Sequence, residues 1–194
     1  YVVLAVFAEM IVFATYVVKG RVKERKVRVY LPTLLSMLLS YMVVTIIVVA
    51  VIVQAQPWYA PKYFIPLGGM VIGNSITAIA VAMERLLADL RKHRAEVELL
   101  LCLGATASEA SAHIFRTAIR AGMTPSIMAM MGVGVVWIPG MMTGQLIAGS
   151  DPLVAVKYQI MVMLMLVGST AIGSVLAVSL VRKRCFSSDD RLMV

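Results

Sequence analysis

Uncharged stretches dominate the chain, near residues 1–18, 32–53, 63–83, 124–149 and 158–181, and Glu9 is the only charge inside any of them. About 20 apolar helical residues cross a hydrocarbon core about 30 Å thick. The pattern therefore predicts an all-α, polytopic transmembrane bundle with five spans, the whole of 1–194 forming one membrane-embedded domain. The polar positions between spans give an orientation. KGRVKERKVR (19–28) carries six Lys/Arg against one Glu, which predicts a cytoplasmic loop. Gln54–Lys62 then falls outside with one lysine and the interfacial aromatics Trp58 and Tyr59, and 84–122 falls inside with six Lys/Arg. Gly149–Lys157 falls outside with one lysine, and the tail from Arg182-Lys183-Arg184 falls inside. The loops agree with one another, so the first residues are expected outside and the C-terminus in the cytoplasm.

Composition strengthens this picture. Apolar residues make up 61% of the 194, charged residues 14%, and mean hydropathy is +0.91, too little charge to cover a soluble domain of this size. The net charge of +8 sits in tracts beside apolar runs, so it reads as topology and not as a nucleic-acid surface. The chain opens Tyr1-Val2-Val3 with no cleavable signal pattern, and residues are expected to be missing from its front. Cys102 and Cys185 both fall in stretches assigned to the cytoplasm and are expected to be free thiols.

The inner segment 84–122 is the one sizeable extramembrane piece. Glu84 to Leu103 is expected to continue the third span as a helix closed by Gly104. Thr106-Ala107-Ser108-Glu109 has the capping-box pattern, and its helix is expected to reach about Ala121-Gly122. Pro125 then fits the first turn of the fourth span. The result is a cytoplasmic helix–turn–helix between spans three and four.

Candidate chemistry is sparse. HExxH, GxSxG, CxxC and the phosphate-cradling GxxxxGK[ST] are all missing from the sequence, so an enzyme is disfavoured and ATP is not bound here through a P-loop. His93 and His113 lack ligand spacing and read as surface residues. The run Leu99-Leu100-Leu101-Cys102-Leu103-Gly104-Ala105 is apolar in a loop assigned to water. It either packs on the neighbouring helix or docks in a partner's groove, and both readings stand on the residues alone.

In the third span, Met70, Asn74, Thr77, Val81 and Glu84 share one helix face, and Gly69 and Gly73 form a small-residue surface for close helix approach. The polar stripe is interhelical glue or the lining of a translocation path, and the cost of spare polar groups at that depth favours the path. In the fourth span, Trp137-Ile138-Pro139-Gly140-Met141-Met142-Thr143-Gly144-Gln145 predicts a kinked or broken helix, which either frames a substrate site or simply packs. Glu9 would cost about 2.5–3.5 kcal/mol facing lipid, so it is expected to face the bundle, protonated or paired. The fifteen methionines are compatible with soft-metal ligation, but adaptable packing is the favoured reading.

YFIPLGGMVIGNSITAIAVAMERL (63–86), LGATASEA (103–110) and WIPGMMTGQLIAGSDPLVAVKYQI (137–160) together resemble the FetB-type permeases (UPF0014). These are half-size ABC transporter membrane subunits linked to iron export, with plant relatives associated with aluminium tolerance. The resemblance implies a membrane permease subunit of an ABC exporter, in the bacterial inner membrane, moving metal ions. It implies a separate cytoplasmic ATPase carrying ATP and magnesium, a homodimer of the permease, and a role for 84–122 as the coupling element. A looser similarity to the EAA-x3-G loop of importer permeases places Glu98 six residues before Gly104, with Leu99 and Leu100 replacing the alanines. On this reading Glu98, Leu101, Gly104, Ala105 and Glu109 contact the ATPase. Glu9, Met70, Asn74, Thr77, Met141, Thr143 and Gln145 belong to the pathway, and no metal ligand is diagnostic. The competing reading is a channel or ion-driven carrier without an ATPase, coupled through Glu9.

Overall fold

The computed structural model describes residues 2–21, 30–48, 61–187 and 192–193. Most of the basic loop 19–28, most of Gln54–Lys62 and half of the tail beyond Arg184 lie outside the described residues. Among the described residues the chain is all-helical: α1 (Val2–Arg21), α2 (Tyr30–Ile47), α3 (Pro61–Lys92), α4 (Arg94–Cys102), α5 (Ala107–Ala110), α6 (Ala112–Gly132), α7 (Gly140–Ile147) and α8 (Pro152–Cys185). Two stretches, Ile65–Lys92 in α3 and Pro152–Cys185 in α8, are long and apolar enough to cross a membrane by length and composition. Tyr30–Val44 in α2 is a shorter apolar helix.

The central helix is α3, which packs against α1, α6 and α8, while α2 packs on α8. Its sequence explains this position. Val71, Ser75, Ala78, Ile79, Ala82, Met83, Leu86 and Leu90 recur at three- and four-residue steps and are all buried. Small residues let neighbouring backbones approach, and a close approach lies at Ala78 and Ala82, which pack on Gly122 of α6. The sequence pattern pointed instead to Gly69 and Gly73. Gly69 meets the end of Met10, but a side chain at Gly73 would meet nothing within 4 Å.

In apolar surroundings helices are held by packing and by interhelical hydrogen bonds. The Ser40 hydroxyl donates to the Ser169 carbonyl oxygen at 2.9 Å and ties α2 to α8. Gly173 lies beside that bond and leaves room for it. The Thr33 hydroxyl donates to the Met83 sulfur at 3.5 Å.

The connection between α3 and α6 follows local sequence closely. α3 runs on past Glu84 to Lys92, turns at His93, and continues as α4. Gly104, at φ +90°, ends α4 in a Schellman arrangement. The Ala105 amide donates to the Leu100 carbonyl at 3.0 Å and the Gly104 amide to that of Leu101 at 3.1 Å. The capping box then forms as its spacing predicts. The Glu109 amide donates to the Thr106 hydroxyl oxygen at 3.3 Å, and the Thr106 amide donates to the Glu109 carboxylate at 2.9 Å.

Two expectations are corrected. No new helix begins at Pro125: α6 passes through it and ends at Gly132. Packing of Gly122 on α3 holds this turn helical. The Thr124 hydroxyl, beside the proline, donates back to the Arg120 carbonyl of its own helix at 2.8 Å. Glu9, in turn, does not face the bundle but is exposed. The inward stripe of α1 is Ile11, Ala14, Thr15 and Val18. Two residues along a helix rotate by roughly 200°, so Glu9 lies on the face opposite Ile11.

Candidate functional site

The stretch assigned to the fourth span is broken, as Pro139-Gly140 led one to expect. After Gly132 the chain forms a compact turn in which the Val136 amide donates to the Gly132 carbonyl at 2.9 Å and the Gly134 amide to that of Trp137 at 3.0 Å. Gly134 takes φ +81°, a conformation other residues rarely adopt. Pro139, extended and buried, caps the start of α7. Its φ of −62° and ψ of 144° give the extended backbone of a residue just before a helix.

This break opens a cavity of about 180 Å³ between α3, α6, α7 and α8. Met70 and Asn74 line it from α3, Ser126 from α6, Met141 from α7, and Gln159 and Met163 from α8, with Trp137 and Pro139 closing the broken side. Among the described residues no acidic or basic side chain lines it. Cavities for drug-sized ligands run to about 300–1,000 Å³, so this one suits an ion or a very small solute.

Three of the residues proposed for a pathway, Met70, Asn74 and Met141, are thus brought together. Asn74 donates from Nδ2 to the Met70 carbonyl of its own helix at 3.0 Å, leaving its amide oxygen available. The other pathway candidates lie elsewhere. Thr77 is exposed on α3, and Thr143 is exposed with its hydroxyl turned back to the Pro139 carbonyl at 3.2 Å. The Gln145 side-chain oxygen is buried without a hydrogen-bond partner, but Gln145 does not line the cavity. Glu9 is also remote from its lining.

The residue that sequence reasoning missed is Gln159. It is 3% exposed, and neither its amide nitrogen nor its amide oxygen has a hydrogen-bond partner. A buried carboxamide left unpaired costs several kcal/mol, roughly 2–7 depending on the reference state. Its signal was present as a glutamine two turns into an otherwise apolar helix. The expected start of the span at residue 158 put Gln159 at the membrane edge, whereas α8 begins at Pro152.

The segment 84–122 presents a separate surface. Leu101 turns inward and packs against the core, whereas Leu99 is 61% and Leu103 75% exposed, with Leu100 beside them. Glu98 is held by Arg94 at 2.7 Å on the same helix. Gly104 and Glu109 are exposed and Ala105 half-buried. Hydrogen bonds from the Thr106 backbone amide and then its hydroxyl hold the Glu109 carboxyl below its ordinary pKa. His93 approaches Glu96 at 2.9 Å, and no group of three or more His, Cys, Asp or Glu side chains converges among the described residues. A second recess, about 290 Å³, is lined by Ala107, Ser108, Arg182 and Lys183, away from every pathway candidate.

No solved structure matches this chain. A Synechocystis UPF0014 membrane protein is 36% identical over 192 residues, covering 99% of this chain and 74% of that protein. The Escherichia coli K12 protein named "Probable iron export permease protein FetB" is 35% identical over 136 residues, 70% of this chain and 52% of its own length. Protein ALUMINUM SENSITIVE 3 of Arabidopsis thaliana is 36% identical over 117 residues, 60% of this chain and 43% of its own. The chain therefore spans about three quarters of the first relative and about half or less of the other two. The model of the uncharacterised protein family UPF0014 matches residues 1–186, so the chain is a member of that family.

Proposed function

We propose that the chain is a membrane permease, specifically the membrane subunit of an ABC exporter that moves metal ions with energy from a separate ATPase. The observation that carries this reading is the apolar knob at the end of α4. Leu99, Leu100 and Leu103 project from a turn fixed by Gly104 and braced by the Thr106–Glu109 box. Exposed leucines on a rigid turn suit insertion into a groove on a partner. The resemblance to ABC permeases and the name of the Escherichia coli relative supply the kind of partner and cargo. α4 follows α3 after a single turn residue, and α3 lines the cavity with Met70 and Asn74.

In this reading the chain spans the bilayer five times, with 84–122 and the C-terminus in the cytoplasm, and it works as a homodimer. ATP and magnesium sit on the ATPase. Its closure displaces the knob and α3, and the cavity exchanges between inward and outward access. The chain's own work is differential binding in the two states, without covalent chemistry.

Co-expression with a candidate ABC ATPase from the same genome tests the proposal. A complex that survives detergent purification is expected, and Leu103→Asp with Leu99→Asp should disperse it while the permease alone remains monodisperse. Absence of any complex, together with intact transport by the double variant, rejects the ABC reading.

A further inference from the structure

We infer that the cavity beside the broken helix is a binding site for a soft, singly charged metal cation such as copper(I) or silver(I), held by the thioethers of Met70, Met141 and Met163 with the Gln159 carboxamide. The inference rests on the permease reading only for calling that ion cargo; the binding itself is measured separately.

The donor set drives the assignment. Three of the lining side chains that can approach an ion carry a thioether sulfur, two, Asn74 and Gln159, end in a carboxamide, and Ser126 adds a single neutral hydroxyl. Thioethers are neutral and polarisable and favour soft ions, whereas hard divalent and trivalent ions require carboxylate or water oxygen. Charge leads to the same conclusion. The desolvation cost of an ion grows with the square of its charge, so a divalent ion pays about four times that of a monovalent one in a site of low dielectric. Among the described residues this cavity has no anionic group in its lining to offset it.

Gln159 shows that the place is built for a ligand and not only for packing. A glutamine at 3% exposure with both amide atoms unpartnered is unfavourable unless something occupies the space before it. Its oxygen can complete a sulfur-rich shell, while its dipole opposes part of the ion's charge. The volume of about 180 Å³ admits an ion with room for its ligands to move. The methionines come from three helices, so a bound ion cross-links α3, α7 and α8. Any rearrangement of the break at 133–139 would pull Met141 away from the other two sulfurs and release the ion.

The test uses the purified full chain in detergent under anaerobic reducing conditions, titrated with copper(I) against a chromophoric chelator and, separately, with silver(I). One ion per chain is expected, and the triple variant Met70→Leu, Met141→Leu, Met163→Leu should bind at least about tenfold more weakly, since leucine keeps the volume but removes the sulfur. Gln159→Leu should weaken binding by a smaller factor. Met130→Leu with Met131→Leu, at exposed positions, should leave it unchanged. Iron(II) in large excess should fail to displace copper(I). The site is rejected if neither ion is retained, if the triple variant binds as the parent does, or if equimolar iron(II) displaces copper(I). A chain that binds copper(I), recruits no ATPase and keeps transport in the leucine double variant supports the site and overturns the exporter reading; an ATPase complex without copper(I) binding does the reverse.

Discussion

Gly122 of α6 rests directly on Ala82 of α3: a Cβ placed on Gly122 would lie 2.7 Å from the Ala82 Cβ and 2.7 Å from the Ala78 carbonyl oxygen. Neither neighbour can rotate away, because one is backbone and the other is the first atom of its side chain. Helix propensity alone would make Gly→Ala stabilising by about 1 kcal/mol. At Gly122 the overlap wins, and Gly122→Ala is expected to destabilise by about 1–3 kcal/mol. Gly73, with nothing within 4 Å of its added methyl, should respond with the opposite sign. Thermal unfolding of the two variants in detergent checks the pair, and equal shifts would refute this account of the α3–α6 crossing.

The two thiols should react very differently. Cys102 is exposed, while Cys185 is buried at the end of α8. A reagent must reach the sulfur to attack it, so packing shields Cys185 in the folded chain. Brief treatment with a water-soluble maleimide, read by mass spectrometry, should label Cys102 alone. Cys185 should react only after denaturation. Equal labelling of both in the folded chain would contradict the packing at the end of α8.

Acid should loosen the turn beside the leucine knob. The folded-state pKa of Glu109 is lowered, so its contribution is fully present above the ordinary carboxylate value and disappears as pH falls through the lowered one. Amide protection over 106–110, corrected for intrinsic exchange, should hold steady from pH 8 down to about 5 and fall only below the ordinary glutamate pKa of about 4.3. Thr106→Val should lower protection about fivefold at neutral pH, as expected for loss of a cap contributing about 1 kcal/mol. It should also shrink the pH dependence without removing it, because the larger cause, the backbone amide of residue 106, stays in place.

Glu9→Gln is expected to leave transport within about twofold of the parent, because an exposed carboxylate on the outer face of α1 has no role in the cavity. Uptake or efflux in cells measures it. A loss of more than about tenfold, accompanied by loss of response to the proton gradient, would favour an ion-driven carrier instead.

What the sequence made legible was local. The Thr106–Glu109 box and the Gly104 turn depend on residues within six positions of one another, so their spacing was enough to read them. The break at Pro139-Gly140 was legible for the same reason. Pro125 misled because its preference for a helix start is weaker than the packing of Gly122 on Ala82, a contact made across about forty residues of sequence. Glu9 misled because the cost of a charge in lipid says it should turn inward, while the apolar stripe of α1 decides which face does. Gln159 was overlooked because a lone amide acquires meaning only when three other helices close around it.

The continuity of α3 has a mechanical consequence. From Met70 to Lys92 it contains no proline, and at about 1.5 Å per residue that length is about 33 Å of uninterrupted rod. The wall facing it, by contrast, is jointed at 133–139. A tilt imposed at one end of such a rod reaches the other as a lever arm's swing, and the strain is taken up where the opposing wall can fold. Stiffness on one side and a hinge on the other make the cavity the place where motion turns into a change of volume.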